Sequence, residues 1–382
     1  MYDNFINFVQ KLYKTTEFIP LHSPCFIGNE KKYLLETIDS TFVSSVGGFV
    51  NRFEEDIAKY VGVKYAIATV NGTAALHIAL KLAGVSEDSE VITQSLTFVA
   101  TCNAIRYCNA RPLFVDVDRK TLGLSAENLE YFLQSNAEVR SDGFCWNKIS
   151  NRKISACLPM HTFGFPVDLN RIVTICNQYK IPLVEEATES LGSSYYGQKT
   201  GSFGELSVLS FNGNKIITTG GGGMILTNNE RLAKSAKHIT TTAKVPHKWK
   251  FNHDSIGYNY RLPNLNAALG VAQLELLPRY LKNKRDISNE YQKWGHENNI
   301  EFVKECDNSK ANYWINTVIM ENKKLKEQFL KETNENNIMT RPVWRPMHKL
   351  LINQDCQYGD MENTNWLSDR IVNVPSSVNL QR

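Results

Sequence analysis

Short apolar runs, KYAIATV (64–70), EVITQS (90–95), RPLFVDV (111–117) and IPLVEEA (181–187), alternate along the chain with segments of helical periodicity. AALHIALKLAG follows the first run, TFVATCNAIRYCNA the second, and LNRIVTICNQYK leads into the last. A strand, helix, strand order of this kind closes through right-handed crossovers. It confines the chain to the α/β class, with a mostly parallel central sheet and helices on both faces. Past GYNYRLPN the pattern changes to one helical stretch from about Leu265 to Glu297, followed by YWINTVIM, KLKEQFLKETNENN and IMTRPVW. At 382 residues the chain also exceeds what a single growing core accommodates. The expected division is a large domain over residues 1–262, including an N-terminal helix, and a smaller C-terminal α+β domain over 263–382.

Composition excludes several classes. A net charge of +4 is too mild to argue for nucleic acid or a membrane surface as partner. No apolar run approaches the ~20 residues that span a bilayer. The opening MYDNFINFVQKLYKTTEF reads as an amphipathic helix, without the basic-then-apolar order of a signal peptide. Eight cysteines form no CxxC pair, so they read as reduced thiols of a cytoplasmic protein, and no metal site is expected.

Four stretches carry chemistry. In VNGTAALHIAL a small-residue turn heads a helix directly after a strand, which suits a phosphate. Gly72 allows close approach and Thr73 adds a hydroxyl; an ordinary turn with Thr73 as cap is the competing reading. In QSLTFVAT, Phe98 is placed to lie over a flat ligand or, alternatively, to fill the core. In IPLVEEATES, Glu185 and Glu186 stand at the C-terminal end of a strand, where open α/β sheets bind ligands, and Glu189 follows nearby. In SFNGNKIITTGGGG, Lys215 is the only charged side chain between Glu205 and Glu230. A Walker loop is excluded, because Asn214 precedes the lysine, Ile216 follows it, and the glycines lead into a strand. A lysine in a dry loop with no local carboxylate is expected to give up its proton readily and to act as a nucleophilic amine. A phosphate cradle, a stacking ring, an acid for a pyridinium nitrogen and an amine together make a pyridoxal phosphate site.

NGTAALH, TFVAT, FVDVD, HTFG, GSFGELSVLSFNGNKIITTGGGG and GYNYRLPNLNAALGVAQLE closely resemble the motifs of the DegT/DnrJ/EryC1/StrS family of nucleotide-sugar aminotransferases. The resemblance covers nearly the whole chain. It implies a fold type I aminotransferase, pyridoxal 5'-phosphate as cofactor, and homodimers with shared active sites. By position, Lys215 resembles the lysine that carries the cofactor, Ser210 a phosphate ligand beside Gly72 and Thr73, and Phe98 the ring over the cofactor. Glu189 resembles the residue near the cofactor hydroxyl, and Asn259 an asparagine that reaches the phosphate from the neighbouring subunit. The family usually reads EDAA where this chain reads EEAT, so the acid expected at the pyridine nitrogen is Glu186 in place of an aspartate.

STFVSSVGGFV, HDSIGYNYRLPNLNAAL and TRPVW resemble the branch that aminates 4-keto-6-deoxy-N-acetylhexosamine nucleotides on the way to bacillosamine or legionaminic acid. The resemblance implies glutamate as amino donor and amination at C4. Arg341, Trp344, Arg345 and His348 in TRPVWRPMH supply basic and aromatic groups for a sugar diphosphate, or else pack the small domain. Amination at C3, another keto sugar, or a non-catalytic binding protein are the competing readings. A dehydratase on this fold would be expected to lack the lysine.

Overall fold

The computed structural model describes residues 2–380. Its strand β1 (Tyr65–Thr69) sends Ile67 to one face of the central sheet and Ala66 and Ala68 to the other, as the two-residue period of a pleated strand requires. Strands β2 (Glu90–Gln94), β3 (Arg111–Val115) and β4 (Ile154–Leu158) pair in parallel in the order β3, β2, β4. Strands β5 (Val184–Glu186), β6 (Leu206–Ser210) and β7 (Gly223–Thr227) join β1 in the order β1, β7, β6, β5. Parallel bridges from Cys157 to Leu183 and from Met160 to Glu186 connect β4 to β5 and make one continuous sheet. Only β7 runs antiparallel to both its neighbours, so the sheet is mostly parallel, as the strand and helix alternation implies.

Helices α1 (Asp3–Tyr13), α2 (Glu30–Asp39) and α3 (Gly48–Val61) precede β1. On one face of the sheet pack α4 (Gly72–Leu82), α5 (Val99–Tyr107) and α8 (Glu230–Thr240), through Leu76, Ile105 and Leu232. On the other lie α6 (Ala126–Asn136) and α7 (Leu169–Gln178), together with α3 and the start of α9 (Asn264–Glu297). The sequence reading passed over α6, α8 and β4.

The long helix α9 serves two cores. Ala267 and Val271 face the central sheet, whereas Ile287, Tyr291 and Trp294 pack against a four-stranded antiparallel sheet. That sheet contains β8 (Glu301–Phe302), β9 (Asn316–Ile319), β10 (Arg341–Pro342) and β11 (Ile371–Val374), in the order β8, β9, β11, β10, covered by α10 (Lys323–Glu335). The N-terminal helix, grouped with the large domain from sequence, buries Phe5, Ile6 and Val9 in this second core. An apolar stripe records only that a helix has a buried face, and here α9 and the small sheet offer the covering surface.

Within α9, Lys284 is fully buried and meets no carboxylate among the described residues. Its Nζ donates to the carbonyls of Trp314 at 3.0 Å and Ser376 at 2.6 Å, and burial pushes its ammonium down to about 7. Among the described residues no helix is long and apolar enough to cross a membrane.

Candidate active site

A cleft of about 310 Å³ opens at the C-terminal ends of β1, β2, β5 and β6, where an open α/β sheet leaves loops and helix N-termini free to meet a ligand. Its floor is the first turn of α4. Asn71, not Thr73, caps this helix, its Oδ1 accepting from Ala74 N at 2.7 Å. Helix geometry leaves the first-turn N–H groups of Gly72 and Thr73 without intrahelical partners, and the positive helix end faces the cleft beside the Ser210 side chain. A Cβ at position 72 would lie 3.0 Å from Ser210 Cβ, so glycine is what lets α4 begin against the end of β6. The glycine run has a related role: a Cβ at Gly223 would collide with the backbone of Asn71.

The two adjacent glutamates of β5 part company because successive side chains point to opposite faces. Glu185 turns into the protein. Its carboxylate accepts from His161 Nε2 at 2.9 Å, from the backbone of Phe203 at 2.9 Å and from Ser207 Oγ at 3.1 Å. Burial pushes this carboxyl up, but His161 and the N–H groups of Gly201 and Phe203 outweigh it and hold the group below its ordinary value. Val167 N donates to His161 Nδ1, so the imidazole carries its proton on Nε2 and donates it to Glu185. Glu185 is thereby committed to structure. Glu186 points into the cleft, and burial pushes its carboxyl up to about 7.

Lys215 reaches the same cleft from the loop after β6. Here the sequence reading is corrected, because a carboxylate does stand beside the amine. Glu189 Oε1 lies 3.1 Å from Lys215 Nζ, and Glu189 Oε2 accepts from Phe163 N at 2.9 Å. The local neutrality from Glu205 to Glu230 holds only along the chain; the partner comes from the turn after β5. Burial raises the Glu189 carboxyl, and Lys215 pulls it back. The ammonium also sits 4.0 Å over the Trp314 ring, whose Nε1 donates to Asn214 O at 2.7 Å.

Phe98 caps α5; the residue is 49% exposed and its ring lies 6.1 Å from that of Trp344, so it faces the cleft and not the core. Gly72, Thr73, Phe98, Glu186, Glu189, Ser210, Lys215 and Trp344 thus line one cavity. Four others, Asn259, Arg341, Arg345 and His348, stand outside its lining, and Arg345 is exposed. Asn259 is exposed, its Oδ1 taken by Arg261 Nε at 3.1 Å, and Arg341 bonds Asn334 and its own neighbour Thr340. His348 Nδ1 meets Ser95 Oγ at 2.6 Å, with its ring against Tyr358. Sequence reasoning missed Trp314, Asn214 and Thr188, which also line the cleft. Thr188 was in view as the last letter of EEAT, whereas Trp314 comes from the distant segment before β9.

An amine, a buried carboxylate, an exposed ring and a helix N-terminus with a serine hydroxyl are the groups that pyridoxal phosphate needs. The profile of the DegT/DnrJ/EryC1/StrS aminotransferase family matches residues 24–382. GDP-perosamine synthase of Escherichia coli O157:H7 is 35% identical over 367 residues, 96% of each chain. EpsN of Bacillus subtilis (strain 168) is 38% identical over 331 residues, 86% of this chain and 82% of its own, and carries pyridoxal phosphate-dependent aminotransferase in its name. Among solved structures, Helicobacter pylori PseC, an aminotransferase involved in the biosynthesis of pseudaminic acid, superposes with a TM-score of 0.85 at 22% identity. The match covers 96% of this chain and 95% of that one, a likeness of fold.

Proposed function

The chain belongs to the DegT/DnrJ/EryC1/StrS aminotransferase family of pyridoxal phosphate-dependent sugar aminotransferases. From that premise we propose that it transfers an amino group, with glutamate as donor, to C4 of a nucleotide-linked 4-keto-6-deoxy-N-acetylhexosamine. The observation that carries the reading is the convergence of Lys215, Glu186, Phe98 and the α4 N-terminus on one cleft. Ser210 and the N–H groups of Gly72 and Thr73 would hold the cofactor phosphate, Phe98 would cover its ring, and Glu186 would face its ring nitrogen. When bound, the cofactor supplies the electron sink that makes the reacting carbon acidic. Lys215 Nζ, once free, moves a proton between the reacting carbons; Glu189 at 3.1 Å and the Trp314 face hold the amine at the cleft between transfers. Trp314 and Trp344 wall the cleft against water.

Amination at C4 and the acetamido sugar are supported by the likeness of STFVSSVGGFV and TRPVW to that branch, and a nucleotide-linked sugar by the relation to GDP-perosamine synthase. The test supplies glutamate with UDP- and GDP-linked 4-keto-6-deoxy sugars, with and without the acetamido group, and reads the product by mass and NMR coupling constants. An equatorial amine at C4 of an acetamido sugar is the expected product. Amination at C3, an axial C4 amine, or activity only on sugars lacking the acetamido group overturns the substrate assignment.

We also propose a homodimer in which Asn259 completes the partner's phosphate site. Asn259 does not line its own chain's cleft, and the segment before it exposes Trp249, Phe251 and Ile256 at 72%, 78% and 85%. An apolar strip of this kind is normally covered. Mixing Lys215→Ala with Asn259→Ala subunits is expected to restore activity through one intact site per heterodimer. Absence of recovery despite demonstrated subunit exchange counts against sharing.

A further inference from the structure

The carboxylate of Glu186 is held by hydroxyls on both oxygens. Thr101 Oγ1 donates to Oε2 at 2.8 Å, and Thr188 Oγ1 donates to Oε1 at 3.1 Å. Thr101 Oγ1 lies 2.7 Å from Thr97 Oγ1, and Thr97 also reaches Met160 Sδ at 3.2 Å. Thr97 and Thr101 are fully buried. A hydroxyl has one hydrogen to give. When Thr101 gives its hydrogen to Glu186, the Thr97 to Thr101 bond can run only one way, with Thr97 donating. The two hydroxyls then form a directed chain that ends on the carboxylate, and the sulfur is the alternative acceptor for Thr97 when the chain is reversed.

Resting on the reading of Glu186 as the acid that faces the cofactor ring nitrogen, we propose that Thr97, Thr101 and Thr188 are positioning residues. Their hydroxyls aim the Glu186 carboxylate and hold it as an anion, so that a glutamate serves where the family pattern has an aspartate. The extra methylene gives Glu186 one more torsion to fix, and a hydroxyl on each oxygen fixes it. Burial and the neighbouring Glu189 both favour the neutral acid, while Thr101, Thr188 and the Lys215 ammonium favour the anion; the Cys102 thiol also lies near it. A neutral Glu186 would no longer hold a proton on a ring nitrogen by charge. The threonines therefore set the pH range over which the acid can act.

The test uses the full-length chain in two forms. In protein stripped of cofactor, isotope-edited infrared spectroscopy follows the Glu186 carboxyl against pH, with Glu186→Gln identifying its band. In loaded protein, the dissociation constant for pyridoxal phosphate is measured. Thr101→Val is expected to raise the titration midpoint by roughly one to two pH units, the worth of a hydrogen bond to a charged group. Thr101→Ser, which keeps the hydroxyl, should titrate as the wild type does. Thr188→Val, at a partly exposed position, should raise the midpoint in the same direction and serves if the buried substitution disturbs folding. An unchanged midpoint in both valine variants, or the same rise in Thr101→Ser, overturns the proposal. If the shift is present but no variant or wild-type chain binds pyridoxal phosphate, the amino-transfer reading fails while the positioning of Glu186 stands.

Discussion

Replacing Lys215 by alanine is expected to lower amino transfer by at least ~10³-fold, because the substitution removes the amine that carries the cofactor and the group that moves the proton. The loss should be catalytic and not structural. Lys215 lies in a loop with its side chain only 14% exposed, and its ion pair is with Glu189. Without the lysine, Glu189 keeps its bond from Phe163 N, and burial already favours the neutral carboxyl, so it can take up a proton instead of remaining a buried unpaired charge. Circular dichroism and the thermal midpoint should therefore change little beside the fall in turnover. The same lysine is expected to carry the adduct when wild-type protein is reduced with borohydride and its peptides are mapped. An adduct on another lysine, or an alanine variant with near wild-type turnover, would remove Lys215 from its role.

Lys284 is expected to have the largest effect on stability, and its sign follows from linkage. The ordinary lysine value is 10.5, and burial lowers the folded value to about 7. Between these pH values the unfolded chain binds a proton that the folded chain does not, so the free energy of unfolding rises with pH through this group. Its contribution is fully present above 10.5 and is lost as pH falls through about 7, a swing on the order of 5 kcal/mol. Lys284→Met leaves the carbonyls of Trp314 and Ser376 without their donor, at roughly 1–3 kcal/mol each, but that cost does not titrate. Urea unfolding of both proteins across pH 7 to 10 should show the wild type gaining on the variant as pH rises. A constant difference would mean that the buried amine keeps an ordinary proton affinity.

Periodicity over a few residues made the α/β class legible, since each strand and helix buries one face that its own spacing marks. The long helix was read as running from about Leu265 to Glu297, and it runs from Asn264 to Glu297. The missed α6 carried a usable sign, Ser125 Oγ accepting from Asn128 N at 3.2 Å as a helix cap. Lys215 stood out because its loop is otherwise uncharged, and the same observation misled, because a carboxylate absent along the chain was present through space.

What the sequence determined by itself is the order of elements and the kinds of group each turn presents: an amine, an acid pair, a ring and a helix N-terminus. Only the tertiary structure decided which of those groups meet. The alternation along β5 separates Glu185 from Glu186, but the packing of His161 and the 201–207 segment decides which of the two is buried as structure and which faces the cleft. Glu189 and Lys215 lie 26 positions apart, and Trp314 lies 100 positions from the Asn214 carbonyl it holds. Propensity and periodicity act over one or two helical turns, whereas charge, desolvation and ring contacts act across whatever distance along the chain the fold brings to a few ångströms.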